Sequence, residues 1–306
     1  MTAARGSPEL DAVVRHLAWM REQRIWPNGR RYLWTDAFGV VLLLSLSRAL
    51  RDDRLLREAE WVVSEVDRVL GRPRGIRIGE AADRDGQYYH YLAMWIFALT
   101  LLGAIERRYY DKALVLARDV HQAFVLPGVG VHWKMKEDLS GPYPGYGLGA
   151  LDPFHGLVVY RLLDSEALAD QIAELRAIVL SCYRTLSITQ DLGLGMMLWL
   201  THFMPTEPWA VTQRERALAM LDRIWVDPPG YFCREPTERD TKFAFTNFGV
   251  SLGLQAVGVH PARVRRVNAF FASYRSGDGY DTEAITHVMA GTSLFPGLFI
   301  RTTGSA

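Results

Sequence analysis

Acidic, imidazole and aromatic residues recur at the starts of six apolar segments of this 306-residue chain. The first segment opens with Trp34, Thr35 and Asp36. The second follows Asp83 and Asp85 and opens with Gln87, Tyr88, Tyr89 and His90. Ahead of the third runs HWKMKEDLSGPYPGYG, carrying His132, Trp133, Lys134, Lys136, Glu137 and Asp138, and then come Asp152 and His155. The fourth contributes Asp191, the fifth Lys242 and Asn247, and the sixth Asp281, Glu283 and His287. Carboxylates and imidazoles in one place are the groups that pass protons, and carboxylate oxygens accept hydrogen bonds from hydroxyls. Aromatic rings stack on the apolar faces of sugar rings. The combination predicts a site for a polyol worked on by general acid–base chemistry.

The roles divide by local environment. Asp152 directly before Pro153 is a helix-start pair, and Asp36, Asp191 and Asp281 also stand where helices begin. An aspartate held by helix N–H groups stays ionised, which suits a base or a ligand-holding group and suits a proton donor poorly. The donor is therefore expected among Asp85, Glu137, Asp138 and Glu283, with Asp85 or Glu283 preferred and Asp152 or Asp36 orienting water or hydroxyls. His155 and His287 complete the expected catalytic set, since Glu283 and His287 are one turn apart and share a helix face. Trp34, Gln87, Tyr88, His90, Trp133, Lys134, Asp138, Asp191 and Asn247 are expected to bind substrate. A competing reading makes several of these plain helix caps, core histidines and exposed ion pairs.

The elements that must position these residues come in two kinds. Segments 8–23, 52–70, 109–124, 165–183, 211–225 and 262–276 read as amphipathic, charge-studded helices. Segments 35–50, 87–103, 153–163, 190–203, 243–257 and 281–294 are nearly charge-free. A helix that is apolar all round must be enclosed by protein, whereas an amphipathic one covers a core with one face. Strict alternation of the two predicts an all-α (α/α)6 toroid, an inner ring within an outer one, filling residues 1–306 as one domain. Connections from an outer to the next inner helix are mostly long, as at 24–34, 71–86, 125–152 and 226–242, and the returns are mostly short. Long loops in a compact domain are usually functional, so the pocket is expected where inner helices begin, walled by Trp34, Tyr88 and Trp133. Gly39, Gly156, Gly193, Gly195, Gly249, Gly253 and Gly291 lie inside predicted inner helices. Each costs about 1 kcal/mol there relative to alanine, which close backbone approach would offset.

Composition narrows the partners. A formal net charge of +1 gives no reason to expect nucleic acid or an anionic membrane. Two cysteines, Cys182 and Cys233, have no metal-ligand spacing. No zinc motif and no glycine-rich phosphate loop occurs, so neither metal nor cofactor is expected. The start of the chain has no secretory apolar region, and the expected location is cytoplasmic.

The alternation, together with WTDAFG, DGQYYHYLAMWIFAL, HWKMKEDLS and THVMAGTSLFPG, resembles an uncharacterised bacterial family of six-hairpin glycosidase-like proteins. That resemblance implies a carbohydrate-active enzyme of glycoside hydrolase, lyase or sugar-epimerase type. Sugar epimerases of this fold look like toroids with two histidines facing across the funnel, a role that His90 and His287 would match. Two alternatives stand beside it. Class II terpene cyclases also look like α/α barrels, and Asp83-Arg84-Asp85 is an incomplete form of their acid motif. Asn247, Ser251 and Gln255 have the spacing of a class I cyclase metal motif, with glutamine in place of the final glutamate. A small hydrophobic natural product would then be the substrate. The remaining alternative is a binding toroid without chemistry.

Overall fold

The structure is a computed structural model that describes residues 6–233, 243–277 and 279–300. Lys242, counted above among the polar residues, lies outside the described residues. Among the described residues the chain forms twelve α-helices: α1 (Pro8–Glu22), α2 (Leu33–Leu50), α3 (Asp53–Leu70), α4 (Tyr89–Gly103), α5 (Arg107–Phe124), α6 (Asp152–Leu163), α7 (Ala169–Cys182), α8 (Asp191–Thr201), α9 (Pro208–Ile224), α10 (Ala244–Ala256), α11 (Pro261–Ser273) and α12 (Ala284–Leu294). Enclosed and covering helices alternate throughout, as the (α/α)6 reading requires. Three antiparallel strand pairs of two residues each are the described sheet: β1 (Gln87–Tyr88) with β4 (Lys134–Met135), β2 (Val125–Leu126) with β3 (Gly130–Val131), and β5 (Trp225–Val226) with β6 (Tyr231–Phe232).

Burial follows the two sequence patterns. On α3 the buried residues are Leu55, Ala59, Val62, Val63, Val66 and Leu70, a stripe at spacings of three and four. On α4 every residue from Leu92 to Leu99 is buried. Helix α2 is long and apolar enough to cross a membrane, and 78% of it is buried within the fold.

The chain divides into two compact units. One comprises Met1–Arg30, Ser45–Leu55 and Ser187–Ala306, and the other Arg31–Leu44 and Leu56–Leu186. The second unit holds most of α2 and α3 with α4 to α7, and its core includes Phe38, Trp95, Phe124, Phe154 and Tyr160. Within it, Gly156 of α6 lies against the Tyr89 hydroxyl, where a Cβ would collide.

In the first unit, α8 and α10 meet backbone to backbone. A Cβ on Gly195 would stand 2.5 Å from the Gly249 carbonyl oxygen, and one on Gly253 would land on the Gly195 carbonyl oxygen. Here the inner-helix glycines have the compensating packing that their number demands. Gly253→Ala is expected to destabilise by ~1–3 kcal/mol despite alanine's better helix propensity, because two backbones must separate. Urea titration checks this: the midpoint should fall at unchanged slope, and an unchanged or higher midpoint would refute close packing as the reason for glycine.

Candidate functional site

In the second unit, the first turns of α4 and α6 bring two histidines and an aspartate together. His90 Nδ1 lies 3.3 Å from Asp152 Oδ1. A carboxylate only accepts, so Nδ1 is the donor in this pair, and in the neutral ring the lone pair is on Nε2. Asp152 is buried, whereas 22% of the His90 side chain is exposed. The His155 ring is centred 6.3 Å from that of His90. Its Nδ1 donates to the Leu151 carbonyl at 3.3 Å, which leaves Nε2 bare, buried and without a hydrogen-bond partner among the described residues. Burial, with the neighbouring His90 adding to it, pushes the His155 imidazole down to about 4. His155 is thus neutral at ordinary pH.

Aromatic rings surround His90. Trp34 is centred 5.9 Å from it, Tyr88 5.4 Å and Tyr91 4.8 Å. Tyr88 continues the wall to Trp133 at 5.8 Å and Tyr146 at 6.2 Å. Trp133 is 42% exposed, so part of its face is open to a ligand. Trp34 is buried, and its Nε1 has no hydrogen-bond partner among the described residues. Burial above all raises the Tyr88 phenol, which stays a neutral hydrogen-bonding group.

Lys134 holds this wall from behind. It is 1% exposed, and its ammonium donates to Glu80 at 3.1 Å and to the Arg84 carbonyl at 2.6 Å. The same ammonium lies 4.8 Å from the centre of Tyr88, 4.5 Å from Tyr143 and 5.0 Å from Tyr146. The β1–β4 register, with Tyr88 opposite Lys134, sets that geometry. Gln87 and Tyr88 therefore form a strand, and the helix expected from position 87 starts two residues later, at Tyr89.

Several expected roles change with these positions. Asp85 is buried with its carboxylate bound to Arg77 at 2.5 Å and to the Gly86 and Gly79 N–H groups at 2.8 and 3.2 Å. It pins a loop and is not placed to donate a proton to a substrate. Asp36 is fully buried, paired with Arg31 at 3.0 Å and accepting from the Tyr32 N–H. Gln87 is fully buried, accepting from Ile76 N–H and donating to the carbonyls of Arg74 and Glu137. Lys134 likewise supports the wall instead of reaching a ligand. Asp138 is exposed, and the Ser140 N–H it accepts holds its carboxyl below the usual range. Sequence reading gave Asp152 and His155 the chemistry and His90 the binding. The structure exposes His90 and buries the other two, so the imidazole able to meet a ligand is His90.

The first unit holds the remaining candidates. Asp191 accepts from Leu192 N–H at 2.8 Å and from the Thr246 hydroxyl at 2.6 Å. Asn247 is fully buried, accepting from Phe232 N–H at 2.6 Å and donating to the Phe232 carbonyl at 3.0 Å, so its side chain is engaged in fixing β6. Gln255 and Ser251 join Ser293 in a second internal network. Neither cyclase-like pattern is assembled: the Asn247, Ser251 and Gln255 side chains are occupied internally, and Asp85 is ion-paired. Among the described residues no group of three or more His, Cys, Asp or Glu side chains is arranged to hold a metal. Glu283 is exposed at the N-cap of α12, where its side chain caps nothing. His287 turns instead to Trp19, 4.9 Å away, and His16, 5.2 Å away, and donates from Nε2 to the Asp281 carbonyl.

Asn247→Leu is expected to cost ~2–4 kcal/mol, because it orphans a buried N–H and a buried carbonyl of Phe232. A thermal melt with unchanged midpoint would contradict that accounting.

Sequence reading missed Tyr91, Tyr143 and Tyr146, which complete the wall. The two tyrosines of GPYPGYG were a usable signal, since glycine and proline around aromatic residues mark a shaped loop. It also missed His16 and Trp19, which sit on an amphipathic helix and carried no signal.

No protein-family model and no curated protein matches the sequence. Solved structures do match in fold. Cellobiose 2-epimerase from Bacillus thermoamylovorans superposes with a TM-score of 0.65 at 10% identity, covering 94% of this chain and 98% of that one. D-mannose isomerase gives 0.66 at 11% identity over 95% and 98%. An inactive variant of the α-1,6-mannanase of Salegentibacter, solved in complex with α-1,6-mannotriose, gives 0.62 at 9% over 93% and 98%. The likeness is one of fold: like these structures, this chain is built as an (α/α)6 toroid.

Proposed function

We propose that this protein is a carbohydrate-active enzyme that moves a proton on the carbon beside a sugar carbonyl, as in aldose–ketose isomerisation. One observation carries the reading: a partly exposed imidazole, backed by a buried carboxylate, stands among aromatic rings. His90 Nε2 takes the proton from C2 of the open-chain sugar, giving an enediolate. The hydroxyl proton passes from O2 to O1, and the resulting imidazolium returns its proton to C1, which leaves the C2 carbonyl of the ketose. Asp152 orients the ring and stabilises its charged form. Trp34, Tyr88 and Trp133 offer faces and hydrogen-bonding edges to the sugar. One base suffices for this same-face transfer, whereas epimerisation calls for a second group on the opposite face.

The structural likenesses support a sugar ligand and also supply the rival. The mannanase variant is inactive with two consecutive aspartates replaced. In this chain the consecutive aspartates are Asp52 and Asp53, at the start of the charged helix α3, and Asp52 is bound to Arg54 at 2.8 Å.

The test is to incubate the protein with D-mannose, D-glucose or cellobiose in D2O and follow the sugars by NMR. Ketose formation with solvent deuterium entering beside the carbonyl is the expected result. Release of mannose from α-1,6-mannotriose, with no exchange on any free sugar, would replace this reading with hydrolysis.

A further inference from the structure

The Asp152 carboxylate is held on His90 by little of its own. Among the described residues it makes one hydrogen bond, from His90 Nδ1 to Oδ1 at 3.3 Å. Oδ2 lies instead against Gly149, in the loop that leads into α6. A Cβ built on Gly149 would land on Oδ2 and stand 3.1 Å from the Asp152 Cβ. The φ of Gly149 is outside the left-handed range, so its conformation does not call for glycine. The space does.

Both backbones are tied down. The Gly149 N–H donates to the Val131 carbonyl at 2.8 Å, and Val131 is paired with Val125 across β2 and β3. Leu148, the preceding residue, pairs with His132. On the other side, the N–H groups of Phe154 and His155 bond to the Leu151 carbonyl at 3.0 and 3.1 Å, closing the first turn of α6 around Asp152. The part free to move is the carboxylate, at the end of a short side chain. A methyl group at position 149 would therefore keep the fold and turn Asp152 off His90. Gly253 is the contrast, because there a Cβ meets the backbone of a neighbouring helix and stability is what is lost.

We infer that Gly149 is a positioning residue for the His90–Asp152 pair: its missing side chain is the space that Oδ2 occupies while Oδ1 receives the imidazole N–H. The consequence for catalysis rests on the proton-transfer reading proposed above, whereas the consequence for the ring does not. Which nitrogen of a neutral imidazole carries the proton is set by the hydrogen bond that the other makes. Without Asp152 in place the ring is released from the form in which Nε2 is bare, and the base that meets the sugar is lost.

Nitrogen NMR of the full chain, with His90 assigned by comparison with His90→Gln, reads the tautomer of the neutral ring. Wild type is expected to show Nε2 unprotonated. Gly149→Ala and Asp152→Ala should both shift the ring mostly to the Nε2–H form. On a responsive aldose, Gly149→Ala should lower kcat about 10²-fold with KM nearly kept, the scale of a catalytic group misplaced by about 1 Å. In Gly149→Ala/Asp152→Ala the methyl group meets no carboxylate, so the double variant should match Asp152→Ala in tautomer, kcat and melting temperature. If Gly149→Ala alone does not fold, recovery of folding in the double variant identifies the carboxylate as the group displaced. A wild-type ring protonated at Nε2, an unchanged tautomer in Gly149→Ala, or a double variant that melts below Asp152→Ala would overturn the inference. A tautomer that shifts as expected, in a protein that turns over no sugar, would uphold the role of Gly149 and reject the proton-transfer reading.

Discussion

Replacing His90 by asparagine is expected to lower kcat on a responsive aldose by ~10²–10⁴-fold, the usual contribution of a positioned acid–base group. Asparagine keeps the polarity and approximate size of the ring but cannot take a proton in this range. Asp152→Asn should also lower kcat strongly, because an amide neither fixes the Nδ1–H tautomer nor offsets the charge on the imidazolium. Trp133→Ala should instead raise KM with kcat largely kept, since a half-open stacking ring binds ground and transition states alike. Steady-state kinetics on the three variants separates these outcomes. Full turnover in His90→Asn would remove His90 from the chemistry and leave the aromatic wall as a binding surface only.

Acidification should destabilise the protein chiefly through its buried imidazoles. The His155 side chain titrates near 6.5 when unfolded and is held at about 4 in the fold, mainly by burial. Between those values the unfolded chain takes up a proton that the folded chain refuses. Stability is therefore fully present above about pH 6.5 and is lost as pH falls toward 4. The shift corresponds to at most ~3 kcal/mol for His155, taking 1.36 kcal/mol per unit. His287, also brought to about 4, contributes in the same direction and window. Urea unfolding at pH 7 and pH 4.5 tests this: His155→Gln should lose about 2 kcal/mol less than wild type between the two. Parallel losses would show that the acid sensitivity arises elsewhere.

The fold was legible because helix enclosure is a statement about composition. Leu92–Leu99 has no charged residue to present to water, so α4 could only be buried, whereas α3 carries an apolar stripe at spacings of three and four beside charged residues and could only lie on a surface. Each of the twelve predicted helices is present with ends moved by a few residues. Loop lengths were equally readable, and they marked helix starts as the place where polar residues collect.

What each collected residue does was decided by tertiary contacts. Asp85, Asp36, Gln87, Lys134 and Asn247 have the right types and positions for chemistry, yet each is tied to partners within the protein. The partners of Asp85, Gln87 and Lys134 come from loops whose paths no periodicity encodes. His90 and Asp152 are 62 residues apart in sequence, and only the approach of α4 to α6 makes them a pair. Sequence alone thus determined which segments are enclosed and where polar groups gather, because solvation acts residue by residue. Which of those groups remain available for a ligand was set by tertiary structure, because a hydrogen bond or ion pair needs two partners and the second is brought by the fold.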